Sequence, residues 1–188
     1  MVASSAATRR PTRRCEPPLV TGDRHPDVAV CYLLRPSAVG EEVLIGRKLT
    51  GLGVGRSVGP GGKLAPGETP AEAVIREVAE ETGIVVDPSA LEPRGVLDYR
   101  FPTKPSWSQR SFVFVSRAFT GDGVPSDELV PEWWPIASPP FERMWDDARF
   151  WLPGVLAGGC VNAFFEFDAD LSTVVASDHP GFAARGRD

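Results

Sequence analysis

Apolar residues fall along this chain in short runs bounded by turn formers, with one long segment at helical spacing. The runs at residues 28–34 and 43–47 predict two strands separated by a turn around Gly40. Further strands are expected at residues 94–101, 110–120 and 133–137; in the second of these Phe112, Phe114 and Ser116 alternate with Val113 and Val115. The helical segment begins at Pro70, where Ala71, Val74, Ile75 and Val78 form a stripe that a sheet can bury. Thr69 can cap it, Pro70 suits the first helical position, Glu72 completes a capping box, and Gly83 supplies the stop. Residues 141–157 predict a second helix broken near Pro153, followed by a last long strand, Val161–Phe167. Residues 1–27 carry small residues, prolines and arginines without periodicity and are expected to be a flexible arm; residues 176–188 are expected to be a loose tail, leaving one domain at residues 28–175.

Composition narrows the functional classes. With 42% hydrophobic and 24% charged residues in 188, the chain can build one globular core. The most apolar region, residues 152–165, is interrupted by Pro153, glycines and Asn162, so no membrane-spanning helix is expected and the chain is read as soluble and cytoplasmic, with no membrane partner. Cys15, Cys31 and Cys160 are odd in number and far apart, which points to a reducing compartment and against a disulfide or a cysteine zinc site. His25 and His179 lie near opposite ends, so carboxylates are left to carry the chemistry. Net charge is −5, and because the first 27 residues hold five arginines against three acids, the remainder is about −7. A body of that sign offers no basic groove to a nucleic acid, and an anionic substrate would need metal ions or a few well-placed bases.

Such a place is visible upstream of and within the helix. Gly51, Gly53, Gly55, Gly59, Gly61 and Gly62 form a loop that a ligand can approach closely, and it leads onto a helix where Glu77, Glu80 and Glu81 stand at i, i+3 and i+4 on one face. Glu80 and Glu81 occupy the last turn, where the helix dipole disfavours negative charge, and the Glu77/Glu81 pair costs a few tenths of a kcal/mol, roughly. Helix stability alone would place lysine there. Hard oxygen ligands on one face suit Mg²⁺ or Mn²⁺ completed by water and substrate phosphates, so metal-assisted chemistry on a phosphate compound is expected.

The stretch GGKLAPGETPAEAVIREVAEETGIV resembles a complete Nudix box, every fixed position being filled from Gly62 through Glu68, Arg76, Glu77, Glu80 and Glu81 to Gly83. The resemblance implies an α/β fold, an α/β/α sandwich around a mixed sheet, whose loop and helix hold divalent metal at a pyrophosphate. It makes Glu77, Glu80 and Glu81 metal ligands, with the carbonyl of Gly61 or Gly62 a further ligand, Glu68 and Arg76 supporting, and Mg²⁺ the cofactor, Mn²⁺ being an alternative. The general base is one of Glu77, Glu81 and Glu128. Outside the box, VLIGRK, GLGVGR, SDELVPEWWPI, PFERMWDDARFWLP and FFEFD resemble the MutT-homologue, oxidised-purine branch over residues 28–175. By that likeness Glu128 is a remote metal ligand, Lys48 meets the triphosphate, Lys63 is a further substrate-binding residue, and Leu52, Tyr99, Phe101, Met144 and Trp145 wall a base pocket with Asp147 on the base edge. Trp133 and Trp134 are expected to pack in the core. The chain departs from the mammalian member of that branch at Val58, where an asparagine contacts the base, at the preceding Ser57, where a tryptophan stands, and at Ala148, where a second aspartate does.

The expected function is cleavage of (oxidised) purine nucleoside triphosphates such as 8-oxo-dGTP to monophosphate and pyrophosphate. The alternatives are another nucleoside diphosphate derivative, ADP-ribose or a dinucleoside polyphosphate, the latter suggested by Tyr99 sixteen residues beyond Gly83, or a non-catalytic nucleotide-sensing module. Monomer and homodimer both remain open.

Overall fold

In the computed structural model, which describes Cys15, residues 25–38 and residues 40–183, the first apolar run becomes β1 (Asp27–Ser37), a strand that serves two partners along one edge. Its C-terminal half pairs antiparallel with β2 (Gly40–Lys48), Leu34 opposite Val43. After β3 (Ser57–Val58) the chain returns as β4 (Gly61–Lys63) to pair with the N-terminal half, Val30 opposite Gly61. The glycine-rich segment therefore lies between two strands that share β1, and this fixes where the loop opens.

The helix α1 (Pro70–Thr82) has the ends foreseen for it: Thr69 and Glu72 form the capping box, and Gly83 closes it in the left-handed region at φ 68°. It is followed by β5 (Val85–Val86), β6 (Glu92–Arg100), β7 (Gln109–Ser116), β8 (Phe119–Thr120), β9 (Leu129–Pro135), α2 (Ala148–Leu156), β10 (Val161–Phe167) and β11 (Val174–Ser177). The main sheet runs β11-β10-β6-β7-β1-β2-β3, with β9 on the other side of β2 and a separate β5-β8 pair. β1 with β7 and β6 with β10 are parallel and their neighbours antiparallel, so the sheet is mixed. Strand alternation sends Ala29, Cys31 and Leu33 toward Val74 and Val78 of α1, and Tyr32 and Leu34 toward Trp151, Leu152 and Val155 of α2. Each fully buried aliphatic side chain in these two layers contributes about 1.5–3 kcal/mol, and the result is the α/β/α sandwich.

Several expectations need correction. The second helix is not broken at Pro153, which lies inside α2; the break comes earlier, at Met144, which is extended after a 3₁₀ turn. Burial of Trp151, Leu152, Val155 and Leu156 outweighs the roughly 3 kcal/mol that an internal proline costs. β9 starts four residues earlier than expected because an edge strand tolerates Pro131. The domain boundary at residue 175 falls within β11, and the chain beyond is held: Asp178 accepts the Phe164 N–H, and the Phe182 ring packs edge-on against Phe150. Cys15 and Cys160, 145 residues apart in sequence, form a disulfide with Cα atoms 5.7 Å apart, contrary to the expectation of three reduced thiols. Spacing along the chain carries no sign of that proximity. Cys31 is a buried thiol whose pKa is raised by burial. The rest of the expected arm, residues 1–14 and 16–24, lies outside the described residues. No helix among the described residues is long and apolar enough to cross a membrane.

Candidate active site

At β4 the backbone passes so close to β1 that a Cβ on Gly61 would overlap the Ala29 carbonyl, and one on Gly62 would lie 2.5 Å from the Glu77 carboxylate. Two glycines thus seat the carboxylate face of α1 against the strand. Glu81 is 3% exposed; its Oε2 accepts the Gly61 N–H at 2.8 Å and its Oε1 faces Lys48 Nζ at 3.4 Å. Burial raises the Glu81 pKa, while the Gly61 N–H and Lys48 pull it down.

Arg76 organises the other acids. Its Nε and Nη2 make a fork to Glu68, both at 2.9 Å, Nη1 donates to Glu77 Oε1 at 2.8 Å and Glu80 Oε2 at 3.0 Å, and Nη2 reaches the Lys63 carbonyl at 3.2 Å. The Arg76 fork, followed by the Ala65 N–H, holds the Glu68 carboxyl down at about 2. Arg76 occupies one oxygen each of Glu77 and Glu80 and leaves the other.

Among the described residues no three acidic, histidine or cysteine side chains are gathered around a common cation position. The cause is local: Lys48 and Arg76 already neutralise the acids, and Glu81 is turned onto an N–H. The donor set itself, carboxylate oxygens over a glycine backbone, fits a hard divalent cation, which would have to displace Lys48 from Glu81. Gly61 is brought to this place, through its N–H.

A cleft of about 720 Å³ opens above the helix face and takes in Lys48, Lys63, Gly61, Glu77, Glu80 and Glu128. Glu128 is tied to the glycine loop by its carbonyl, which accepts the Leu49 N–H at 2.7 Å. Glu68, Arg76 and Glu81 are not among the residues that line the cleft. The same cleft is lined by Leu52, Tyr99, Phe101, Met144, Trp145 and Asp147, so the residues expected to meet phosphate and base share one space. Trp145 meets Phe101 edge-on at 5.9 Å, and the Arg56 guanidinium covers it at 4.2 Å while donating to the Met144 carbonyl and Ser172 Oγ. Asp147 is 1% exposed; Oδ2 accepts from Tyr99 Oη at 3.0 Å and Trp151 Nε1 at 2.7 Å, whereas Oδ1 is buried without a partner. Burial pushes its pKa up to about 6, against the Trp151 and Tyr99 hydrogen bonds.

Trp107 and Ser111, which line this wall, and Arg56, which braces Trp145, went unnoticed in the sequence. Trp107 sits on a 3₁₀ turn between β6 and β7, edge-on to Trp145 at 6.4 Å, with Lys104 Nζ 3.9 Å from its ring. An aromatic between two strands, one ending at Arg100 and the next starting at Gln109, was the available signal. Trp133 and Trp134 lie on β9 outside the cleft, partly buried, under Arg35 and Arg143.

Comparison with known proteins places these features among relatives. The NUDIX domain family matches residues 23–153. Oxidized purine nucleoside triphosphate hydrolase of Danio rerio is 36% identical over 127 residues, covering 66% of this chain and 78% of that protein. The Mus musculus protein of the same name is 32% identical over 136 residues, covering 72% and 85%. Among solved structures, a MutT protein from Bacillus halodurans superposes with a TM-score of 0.68 at 25% identity, over 81% of this chain and 95% of that one.

Proposed function

The chain belongs to the Nudix family, and from that premise we propose that it hydrolyses purine nucleoside triphosphates, oxidised guanine nucleotides above all, to monophosphate and pyrophosphate. Nudix hydrolases act on small nucleotides and generally use divalent metal, and two relatives are named for oxidised purine triphosphates. One observation carries the substrate class: an unpaired, buried carboxylate oxygen, Asp147 Oδ1, in an indole-walled cleft that also takes in the acidic face of α1. Trp145 offers a stacking surface, and Oδ1 accepts from a ring N–H or amino group of the base.

Glu77, Glu80 and Glu81, with Glu128 across the cleft, would hold Mg²⁺ or Mn²⁺. Such a cation supplies Lewis acidity toward the polyphosphate and toward water. Lys48, which faces Glu81, would turn its ammonium to the phosphates, while Arg76, paired with Glu77 and Glu80, would keep them in place. One of Glu77, Glu81 and Glu128 takes the proton of the attacking water. The Tyr99 hydroxyl is committed to Asp147, which favours a base-pocket role for Tyr99 over recognition of a dinucleoside polyphosphate.

The test is initial-rate hydrolysis with Mg²⁺ across normal nucleotides, 8-oxo-dGTP, 8-oxo-GTP, ADP-ribose and a diadenosine polyphosphate, with products separated by chromatography. Pyrophosphate release with oxidised guanine preferred by a hundredfold, about 2.7 kcal/mol in transition-state binding, is the expected result. A preference for ADP-ribose would overturn the substrate while keeping the family chemistry.

A further inference from the structure

Two serines in the cleft have no structural reason to be polar. Ser57 is 2% exposed and Ser111 3%, both line the cleft, and neither hydroxyl has a hydrogen-bond partner among the described residues. Ser108, also buried there, differs, because its Oγ accepts the Phe101 N–H. On β7, Ser111 stands opposite Val28 on one side and Leu97 on the other, a position where valine would pack well. Neither hydroxyl oxygen is sealed from water as Asp147 Oδ1 is, so the small exposure left to each serine turns its hydroxyl to the cleft, where a ligand group can take the place of water.

Register places Ser111 at the base wall, and its chain neighbour Arg56 places Ser57 there. Ser111 is diagonal across the β6/β7 pair from Tyr99, whose hydroxyl holds Asp147, and such diagonal neighbours are within reach of one ligand. Ser57 follows Arg56, the residue that covers Trp145, and Val58 beside it carries no hydrogen-bonding group. Asp147 Oδ1, buried without a partner, and the two hydroxyls, which bond to nothing among the described residues, therefore open on the same cleft.

We propose that Ser57 and Ser111 are base-reading residues, which with Asp147 present a three-point hydrogen-bonding edge to a purine stacked on Trp145. The inference rests on the purine reading above and deepens it. A carboxylate oxygen only accepts, whereas a serine hydroxyl rotates to donate or accept. The two serines consequently meet a ring nitrogen whether or not it carries a proton, and they favour purine over the smaller pyrimidine without separating oxidised from normal guanine. That separation falls to Asp147.

The experiment uses Ser57→Ala, Ser111→Ala and the double variant of the full chain, with Ser57→Cys and Ser111→Cys to keep side-chain volume. Calorimetric binding of dGMP and dCMP is measured beside steady-state hydrolysis of 8-oxo-dGTP, dGTP and dCTP with Mg²⁺. Each single variant is expected to weaken dGMP binding about five- to tenfold and to raise KM equally for 8-oxo-dGTP and dGTP, with kcat, dCMP affinity and melting temperature retained. Affinity for dGMP within twofold of the unaltered protein, in the alanine or the cysteine pair, overturns the proposal. If the unaltered protein binds dGMP but hydrolyses no purine triphosphate, the proposed function fails while the serines are still judged on dGMP. If it binds no dGMP at all, both fail together.

Discussion

On the wall built by α1 and the glycine loop, each carboxylate of the helix face is already answered: Arg76 holds Glu77 and Glu80, and Lys48 with the Gly61 N–H holds Glu81. On the aromatic wall one buried polar atom is unanswered, Asp147 Oδ1. A cation entering the first wall must displace ammonium and guanidinium groups, so its binding is a competition between charges. A base entering the second has only to replace water and supply the partner that Asp147 Oδ1 lacks. The first wall is suited to chemistry shared by many substrates and the second to choosing among them. Substitutions that act on one wall and spare the other test this division.

The largest effect is expected at Glu81→Gln. Glutamine can still accept the Gly61 N–H but cannot bring a negative charge to a cation or accept a proton from water. A fall in kcat of about a thousandfold at saturating Mg²⁺ is expected, with an unchanged or higher melting temperature because a buried charge has gone. Full activity in a folded variant would remove the metal site from this wall.

Asp147 gives a thermodynamic signature on the other. Its folded pKa, about 6, lies above the ordinary 3.8. Between roughly pH 4 and 6 the native state therefore holds a proton that the unfolded state has shed, and stability from this group, present at low pH, is lost as pH rises through 6. At about 1.4 kcal/mol per unit the window spans about 3 kcal/mol. Asp147→Asn keeps an acceptor for Tyr99 and Trp151 and removes the titration. Urea unfolding of both proteins should show the asparagine variant gaining on the aspartate form from pH 4 to 6 and holding a constant lead above. A gap independent of pH would mean that Asp147 is not an unpaired buried acid.

The difference between the walls is also a difference in legibility. Most of what shapes the first, Lys48 and the β1 backbone apart, lies in one contiguous stretch: the cap at Thr69, the stop at Gly83, the spacing of Glu77, Glu80 and Glu81, and the glycines just upstream are local signals with local causes. The fold class was readable by the same route, through resemblance of that stretch to a family, and the family match and the mixed sheet agree with it. The second wall is assembled from β3, β6, β7 and the turn before α2, and what joins them is strand order. That Ser111 lies beside Val28 follows from β1 running parallel to β7, a pairing of residues more than eighty apart with no mark in either segment. The disulfide and β11 escaped for the same reason, since one joins residues 145 apart and the other depends on which edge β10 presents. Pro153 misled because local backbone cost is visible in a sequence and compensating burial is not.

The smallest effect, and the finest division between the walls, is expected at Arg56. This residue fastens three segments at once: its own loop, the Met144 carbonyl ahead of α2, and Ser172 between β10 and β11, with its guanidinium flat over Trp145. It touches none of the carboxylates on α1. If the aromatic wall governs binding alone, Arg56→Ala should loosen Trp145 and raise KM for purine triphosphates about five- to tenfold while kcat stays within twofold, since a cation–π contact and two hydrogen bonds are lost. Acrylamide quenching of tryptophan emission should rise in parallel. Arg56→Lys should restore little of the KM, because an ammonium has no planar fork to span two acceptors while covering an indole. A fall in kcat matching the rise in KM would instead show that the two walls move together, and that ordering of Trp145 is felt at Glu77 and Glu81.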